Sequence, residues 1–383
     1  MNENKPLPKG WEVKNLGDIG KIFNGNSINA TIKKEKYLNI NGGMPYIATK
    51  DISYENIIDY SNGISIPFEE KSNFRFVPKN TTLICAEGGS AGRKIGFTSQ
   101  EVCFGNKLFA LIVKNGISNK YIYYYYFSDN FQKDFQGQMT GIIGGVSMAK
   151  FKKLNIPLPS LPEQKCIVAI LDKTFAEITK AEAIAKTNLQ NAKELFESYL
   201  NNVFENKGDD WEEKTLGEVI EIRSGRNQKE VLNPNGKYPI LGSAGKVMGY
   251  ADKFLCVSGT TIIGRKGTIN KPLFIKTNFW NVDTAFGLIA SDKLTNEFLY
   301  YFCRSFNFKE LDKGTTLPSL VKKDLIKITI SFPKLKNEQK QIVQKLEQLQ
   351  SQVKKLEVIY QQKIIDLSEL KKSILQKAFN GEL

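Results

Sequence analysis

The chain has 383 residues, 41% of them hydrophobic, and carries 54 Lys and Arg against 40 Asp and Glu, a formal charge of +14 with no histidine. The missing histidine excludes Ser-His-Asp and Cys-His catalysis, the HExxH metalloprotease site and any zinc site with a His ligand. Five scattered cysteines without a CxxC pair give neither a disulfide framework nor a four-cysteine metal site. No apolar signal region opens the chain and no run is long enough to span a bilayer, so a soluble, basic, cytoplasmic protein without a membrane partner is expected.

Read in order, the chain repeats itself. Gly10-Trp-Glu-Val-Lys-Asn-Leu-Gly17 returns as Asp210-Trp-Glu-Glu-Lys-Thr-Leu-Gly217, and Gly25 returns as Gly225. Farther along the offset shrinks from 200 to 175–179 positions: Thr81–Ile84 meets Thr260–Ile263, Tyr121–Tyr124 meets Phe298–Tyr301, and Glu163-Gln-Lys meets Glu338-Gln-Lys. The second copy is therefore about 25 residues shorter, mostly before the Thr81 match; the ends of the unit are shared and the middle has diverged. Short β-branched and aromatic runs (Thr81–Cys85, Phe109–Val113, Thr260–Ile263, Ile326–Ile330) read as strands, and 121–135 and 297–311 read as helices whose aromatics serve the core. An α+β domain with a twisted sheet is expected in each copy.

Each copy ends in a long helix. In the second, Ile342, Leu349, Leu356, Lys363 and Leu370 at d and Leu346, Val353, Tyr360, Leu367 and Ile374 at a sustain a 3-4 spacing over about five heptads. The same register moved back 175 positions gives Ile167, Leu171, Thr174, Ile178, Ala181, Ala185, Asn188, Ala192, Leu195 and Tyr199. Small residues on one seam face large ones on the other, which predicts that the helices pair with each other, antiparallel, with one domain at each end. The alternative is two amphipathic helices buried separately against globular domains. Boundaries follow at 1–160 (first domain), 161–207 (first helix), 208–335 (second domain) and 336–383 (second helix).

The charge is unevenly placed. Residues 1–162 carry 20 bases and 13 acids and residues 208–337 carry 20 and 14, whereas the helical segments are nearly neutral. Two basic domains joined by neutral helices predict two contacts with a polyanion. The candidate contacts lie in polar, Gly-containing loops: Ser90, Arg93 and Lys94 in Glu87–Lys94; Arg223, Arg226 and Asn227 in Arg223–Gln228; Arg265 and Lys266 in Gly264–Lys271. Small residues let backbone approach a phosphate or groove, where Arg, Lys and Asn bond phosphates or base edges; solvated hairpin turns are the alternative. No P-loop, clustered metal-binding acids or methyltransferase catalytic strip occurs, so no catalytic residue, cofactor or metal is assigned.

In order and in duplicate, these features resemble the specificity subunit of a type I restriction–modification system. The resemblance covers essentially the whole chain. It rests on the Trp-x-x-x-x-Leu-Gly openings, the Gly314-Thr-Thr-x-Pro318 segment (which adds Thr315 and Thr316 as candidates), the Glu-Gln-Lys starts of the long helices and the closing Leu375-Gln-Lys-Ala-Phe-Asn-Gly-Glu-Leu383. Two departures are Gln138–Gly145, which replaces a clean Gly-Thr-Thr-x-Pro in the first copy, and Asn337, which stands where the first copy has Pro162. The resemblance implies two target-recognition domains, each reading half of a split double-stranded DNA sequence. It further implies spacer helices that bind modification subunits carrying S-adenosylmethionine, and a motor and nuclease subunit in the full complex. A helix of about 43 residues would span roughly 65 Å, against roughly 34 Å for one turn of DNA. A stand-alone coiled-coil DNA-binding or scaffold protein is the remaining alternative.

Overall fold

The structure is a computed structural model and describes residues 7–141 and 144–383. The opening Met1–Pro6 and the Ile142–Ile143 part of the Gln138–Gly145 segment lie outside the described residues. The chain forms two compact units, residues 1–184 with 363–383, and residues 185–362.

Each unit is built on the same plan. In the first, strands Gly20–Asn24, Leu108–Val113, Thr82–Cys85 and Ile95–Phe97 form an antiparallel sheet in that order. In the second, Ile220–Ser224, Ala285–Ala290, Thr260–Gly264 and Leu273–Ile275 form its counterpart in the same order. A smaller sheet in each contains one parallel pair, Met44–Ile47 with Val102–Phe104 and Tyr238–Leu241 with Trp280–Asn281. The repeated Trp-containing opening pairs with the strand just before each long helix: Glu12–Asn15 with Asn155–Leu158, and Trp211–Thr215 with Thr329–Pro333. The last strand starts later than the expected Ile326–Ile330, because Ile326 closes the short helix Lys322–Leu325.

The recurrent glycines have steric reasons. A Cβ on Gly25 would lie 1.8 Å from the carbonyl oxygen of Phe104, and one on Gly225 would lie 1.8 Å from that of Val282. Chain packs on chain there, with no room for a side chain. The aromatic helices are core elements, as their residue types predict. The 121–135 stretch is two helices, Asn119–Tyr125 and Asp129–Gly137, because Ser128 caps the second through the Phe131 N–H. Tyr121, Tyr125, Tyr126, Phe131 and Phe135 are all at most 2% exposed. In the second copy the helix Asn296–Ser305 ends before a 3₁₀ turn at Phe308–Leu311.

The long helices run Leu161–Glu205 and Lys336–Phe379. Gly381, at a φ of +70°, ends the second in a Schellman arrangement, with Glu382 N–H bonded to the Lys377 carbonyl and Gly381 N–H to that of Ala378. In the first unit the opening of the first helix (Ile167, Leu171, Phe175, Ile178) shares a core with the close of the second (Leu375, Ala378, Phe379). In the second unit the close of the first helix (Phe196, Leu200) shares a core with the opening of the second (Val343, Leu346, Val353). An opening beside a close, in both units, is an antiparallel pair. Ala185 and Ala192 are buried, as the small-residue seam requires, and Leu349 is partly buried against the second core.

Three seam assignments are corrected. Leu195 is 51% exposed, Leu356 38% and Leu370 46%. Along the first helix the buried column steps by four, from Ala192 to Phe196 to Leu200, so Leu195 is turned about 100° away. Along the second, between 346 and 367, the buried or half-buried residues are Leu346, Leu349, Gln350, Val353, Glu357, Tyr360, Ile364 and Leu367. The a positions hold; of the d positions Ile342 and Leu349 stay half-buried, whereas Leu356 and Lys363 are exposed beside half-buried Glu357 and Ile364, and Leu370 is exposed. The reason is that each helix packs against its own globular core as well as a partner helix, so the buried face is wider than a coiled-coil seam.

Candidate nucleic-acid interface

The beginning of each long helix is tied to its copy by a buried glutamine. Gln164 accepts from the Ser118 N–H at 2.8 Å and donates to the Pro159 carbonyl at 2.9 Å. Gln339 accepts from the Thr295 N–H at 2.8 Å and donates to the carbonyls of Pro333 and Lys293, each at 2.9 Å. Ser118 and Thr295 are the N-caps of the aromatic helices. The Gln of the repeated Glu-Gln-Lys motif therefore locks strand, aromatic helix and long helix together, and the rigid frame carries the loops beyond it.

Those loops gather at one end of each four-stranded sheet. In the second copy they are the turn after Ser224, the turn at 281–285 and the loop after Gly264. Arg226 N–H bonds the Asn281 carbonyl at 2.9 Å, and Arg265 and Lys266 N–H groups both reach the Thr284 carbonyl, at 2.8 and 3.2 Å. The Gly-Thr-Thr-x-Pro segment closes over this end. Gly267 N–H bonds the Pro318 carbonyl, and Leu320 N–H bonds the Arg265 carbonyl, both at 2.8 Å. Asp312 shapes that turn by accepting from the Gly314 and Ser319 N–H groups at 2.8 Å each, which holds its carboxyl below the usual range.

The loops of Arg226, Asn227, Arg265, Lys266, Thr315 and Thr316 thus converge, and all six residues are exposed. Asn227 turns its oxygen back to the Lys229 N–H. Arg265 lies over Phe286, 5.9 Å from the ring centre. Arg223 is placed differently. Its guanidinium is paired with Glu221 at 2.7 Å and bonded to the Leu255 carbonyl at 3.0 Å.

In the first copy Ser90, Arg93 and Lys94 lie on a loop pinned by the divergent insert. Asn56, at a φ of +65°, accepts from the Ile95 N–H at 2.9 Å. Tyr54, 56% exposed, has its hydroxyl 3.3 Å from Ser90 Oγ, with Lys94 Nζ 5.0 Å and the Arg93 guanidinium 5.4 Å from its ring centre. The Ser90 hydroxyl, followed by those two cations, holds the Tyr54 phenol below its ordinary range. Arg93 also donates to the Gly89 carbonyl, and Lys94 to that of Thr49.

A separate open cleft of about 650 Å³ lies nearby, lined by Glu87, Lys107, Thr140 and Ser147 among others. Glu87, Lys107, Thr140 and Tyr54 are not among the residues the sequence singled out. Glu87 follows the Thr81–Ile84 match and so was reachable by carrying that offset forward; Tyr54 sits in an insert with no counterpart and offered no such signal.

Two copies of one α+β domain, each presenting polar loops at one sheet end and joined through antiparallel helices, define a duplicated target-recognition protein. The model for the type I restriction modification DNA specificity domain matches residues 8–188 and again 208–364. The chain belongs to that family. The MjaIX specificity subunit of Methanocaldococcus jannaschii is 25% identical over 98% of this chain and 94% of its own. A solved chain from work on complex assembly and conformational transition of a type I restriction–modification system has a TM-score of 0.81 at 19% identity, covering 99% of this chain and all of its own. The HsdS subunit of Thermoanaerobacter tengcongensis has a TM-score of 0.68 at 20% identity, covering 100% and 99%. No helix among the described residues is long and apolar enough to cross a membrane.

Proposed function

We propose that this chain is the non-catalytic DNA-reading subunit of a type I restriction–modification complex, each copy reading one half of a bipartite double-stranded site. The observation that carries this reading is the duplication itself: two frames of one topology place different polar loops at the same end of the same sheet. A shared frame with unlike loops suits two unlike half-sites. Phosphate contacts by Lys and Arg would supply affinity and register, and base contacts the sequence choice.

The long helices hold the halves and receive the modification subunits. Exposed apolar residues that belong to neither core support this role: Leu195, Leu356, Val358, Ile359 and Leu370 are all between 38% and 64% exposed. S-adenosylmethionine is held by those modification subunits, which extrude the target base and methylate it; a motor and nuclease subunit completes the restriction complex.

The test is reconstitution of the chain with its modification subunits and mapping of the methylated sites. A split consensus is expected, with no methyl transfer by this chain alone; transfer by the isolated chain, or a continuous consensus, overturns the reading. Replacing Arg93, Lys94, Arg265 and Lys266 together by Ala is expected to weaken binding and lower its salt dependence, by about one unit of slope for each phosphate that is no longer neutralised.

A further inference from the structure

The two copies carry opposite charges at one shared backbone position, a correspondence the basic loops obscure. Glu87 forms an isolated antiparallel bridge with Gly145; Lys266 forms one with Ser319. The residue after each is a glycine at positive φ, Gly88 at +82° and Gly267 at +80°. Gly88 N–H bonds the Gly144 carbonyl as Gly267 N–H bonds that of Pro318, in both cases at 2.8 Å. The residue before each, Ala86 or Arg265, accepts from Val146 or Leu320, at 2.9 and 2.8 Å. Two backbone hydrogen bonds, which together make the bridge, and one unusual dihedral coincide. The counterpart of Lys266 is therefore Glu87, and neither Arg93 nor Lys94.

Both side chains are exposed, and among the described residues neither the Glu87 carboxylate nor the Lys266 ammonium has a hydrogen bond or ion pair. Glu87 lines the open cleft together with Lys107 and Thr140. A free carboxylate in a basic copy is informative because it is repelled by phosphate and cannot serve as a backbone contact. Facing DNA, it gains only by accepting from a base amino group, the N4 of cytosine above all, whereas an ammonium at the same place donates to guanine O6 and N7.

We propose that this shared position reads a base in each half-site, with Glu87 selecting a base that carries an exocyclic amino donor, cytosine first, and Lys266 selecting guanine. The inference rests on the bipartite reading above. It adds a named position to each half and a reason why the halves differ.

The experiment selects bound duplexes from a randomised library with the full chain, assembled with its modification subunits, as wild type, Glu87→Lys and Lys266→Glu. Glu87→Lys is expected to change the preferred base at one position of one half-site, with about 10–100-fold weaker binding to the original sequence and the other half unchanged. Lys266→Glu is expected to do the same in the opposite half. An unchanged consensus with uniformly altered affinity and salt slope, in either variant, overturns the proposal and makes that residue a non-specific electrostatic group. A wild-type library result without a split consensus overturns the underlying bipartite reading instead, before any variant is compared. Should Glu87→Lys fail to fold by gel filtration, Glu87→Gln decides: its added amide donor should admit a keto-bearing base at that one position, and an unchanged consensus overturns the proposal.

Discussion

The first and second copies differ little where they hold their helices and greatly where they present their loops. Phe379, at the close of the second long helix, sits 5.2 Å from both Tyr121 and Tyr125 in the first unit. Phe204, 175 positions earlier at the close of the first helix, sits 5.3 and 5.7 Å from Phe298 and Phe302 in the second unit. Each aromatic helix thus receives a helix end from the other copy, by the same residue pairs. At the loops, by contrast, Glu87 answers Lys266, and a cation-bearing Tyr54 insert answers nothing. Selection on packing keeps one solution; selection on a surface that meets different partners permits many.

The comparison can be broken first at the helix ends. Phe379 is 1% exposed while Phe204 is half-buried, so Phe379→Ala should cost about 3–5 kcal/mol and Phe204→Ala distinctly less. Denaturant unfolding followed by amide exchange in each unit measures both. Equal losses would mean that the two anchors are interchangeable despite their different burial.

Next come the glycines. With 1.8 Å to a carbonyl oxygen in both copies, Gly25→Ala and Gly225→Ala should each destabilise by about 3 kcal/mol, at the upper end of overpacking costs. Thermal unfolding of the two variants should give similar shifts, since the steric problem is the same. A tolerated alanine in one copy would show that its sheet end is free to open.

The buried glutamines should separate the copies by less. Replacing Gln164 or Gln339 with Leu leaves the Ser118 or Thr295 N–H without its acceptor, at about 1–3 kcal/mol. Gln339 serves two carbonyls where Gln164 serves one, so its loss should be the greater of the two in urea titration.

The smallest effect is a local pH response at one turn of the second copy. Asp312 has its folded-state pKa lowered by the Ser319 and Gly314 N–H groups, so its stabilisation is present above the unfolded carboxyl value near 3.8 and is lost as pH falls through the lowered folded value. Amide exchange at Gly314 and Ser319 should accelerate, relative to its intrinsic rate, as pH is lowered below about 4. Asp312→Ala should abolish that pH response.

Much of this organisation was legible because a duplication compares a sequence with itself. Trp11 and Trp211, Gly25 and Gly225, and the two Glu-Gln-Lys motifs mark the frame before any coordinates are known. Their reasons were not legible. That Gly25 abuts the Phe104 carbonyl, or that Gln164 joins Ser118 to Pro159, depends on residues brought together from 79 or 46 positions away and leaves no periodic trace. The seam was half legible: apolar heptads locate both helices, yet Leu195, Leu356 and Leu370 show that an apolar residue can answer to a surface other than the core.

What the sequence by itself determined is the set of features governed by local periodicity and repetition: two copies, two long helices, their antiparallel pairing and the concentration of charge on the globular parts. The tertiary structure decided which loops are equivalent, between the look-alike Arg-Lys pairs and the match that the Thr81–Ile84 offset offers. Arg93-Lys94 and Arg265-Lys266 look alike as strings. Backbone hydrogen bonds, which ignore side-chain identity, instead align Arg265 and Lys266 with Ala86 and Glu87. Loop correspondence is set by where the strands end and what closes over them, and side-chain chemistry is free to reverse on that fixed backbone.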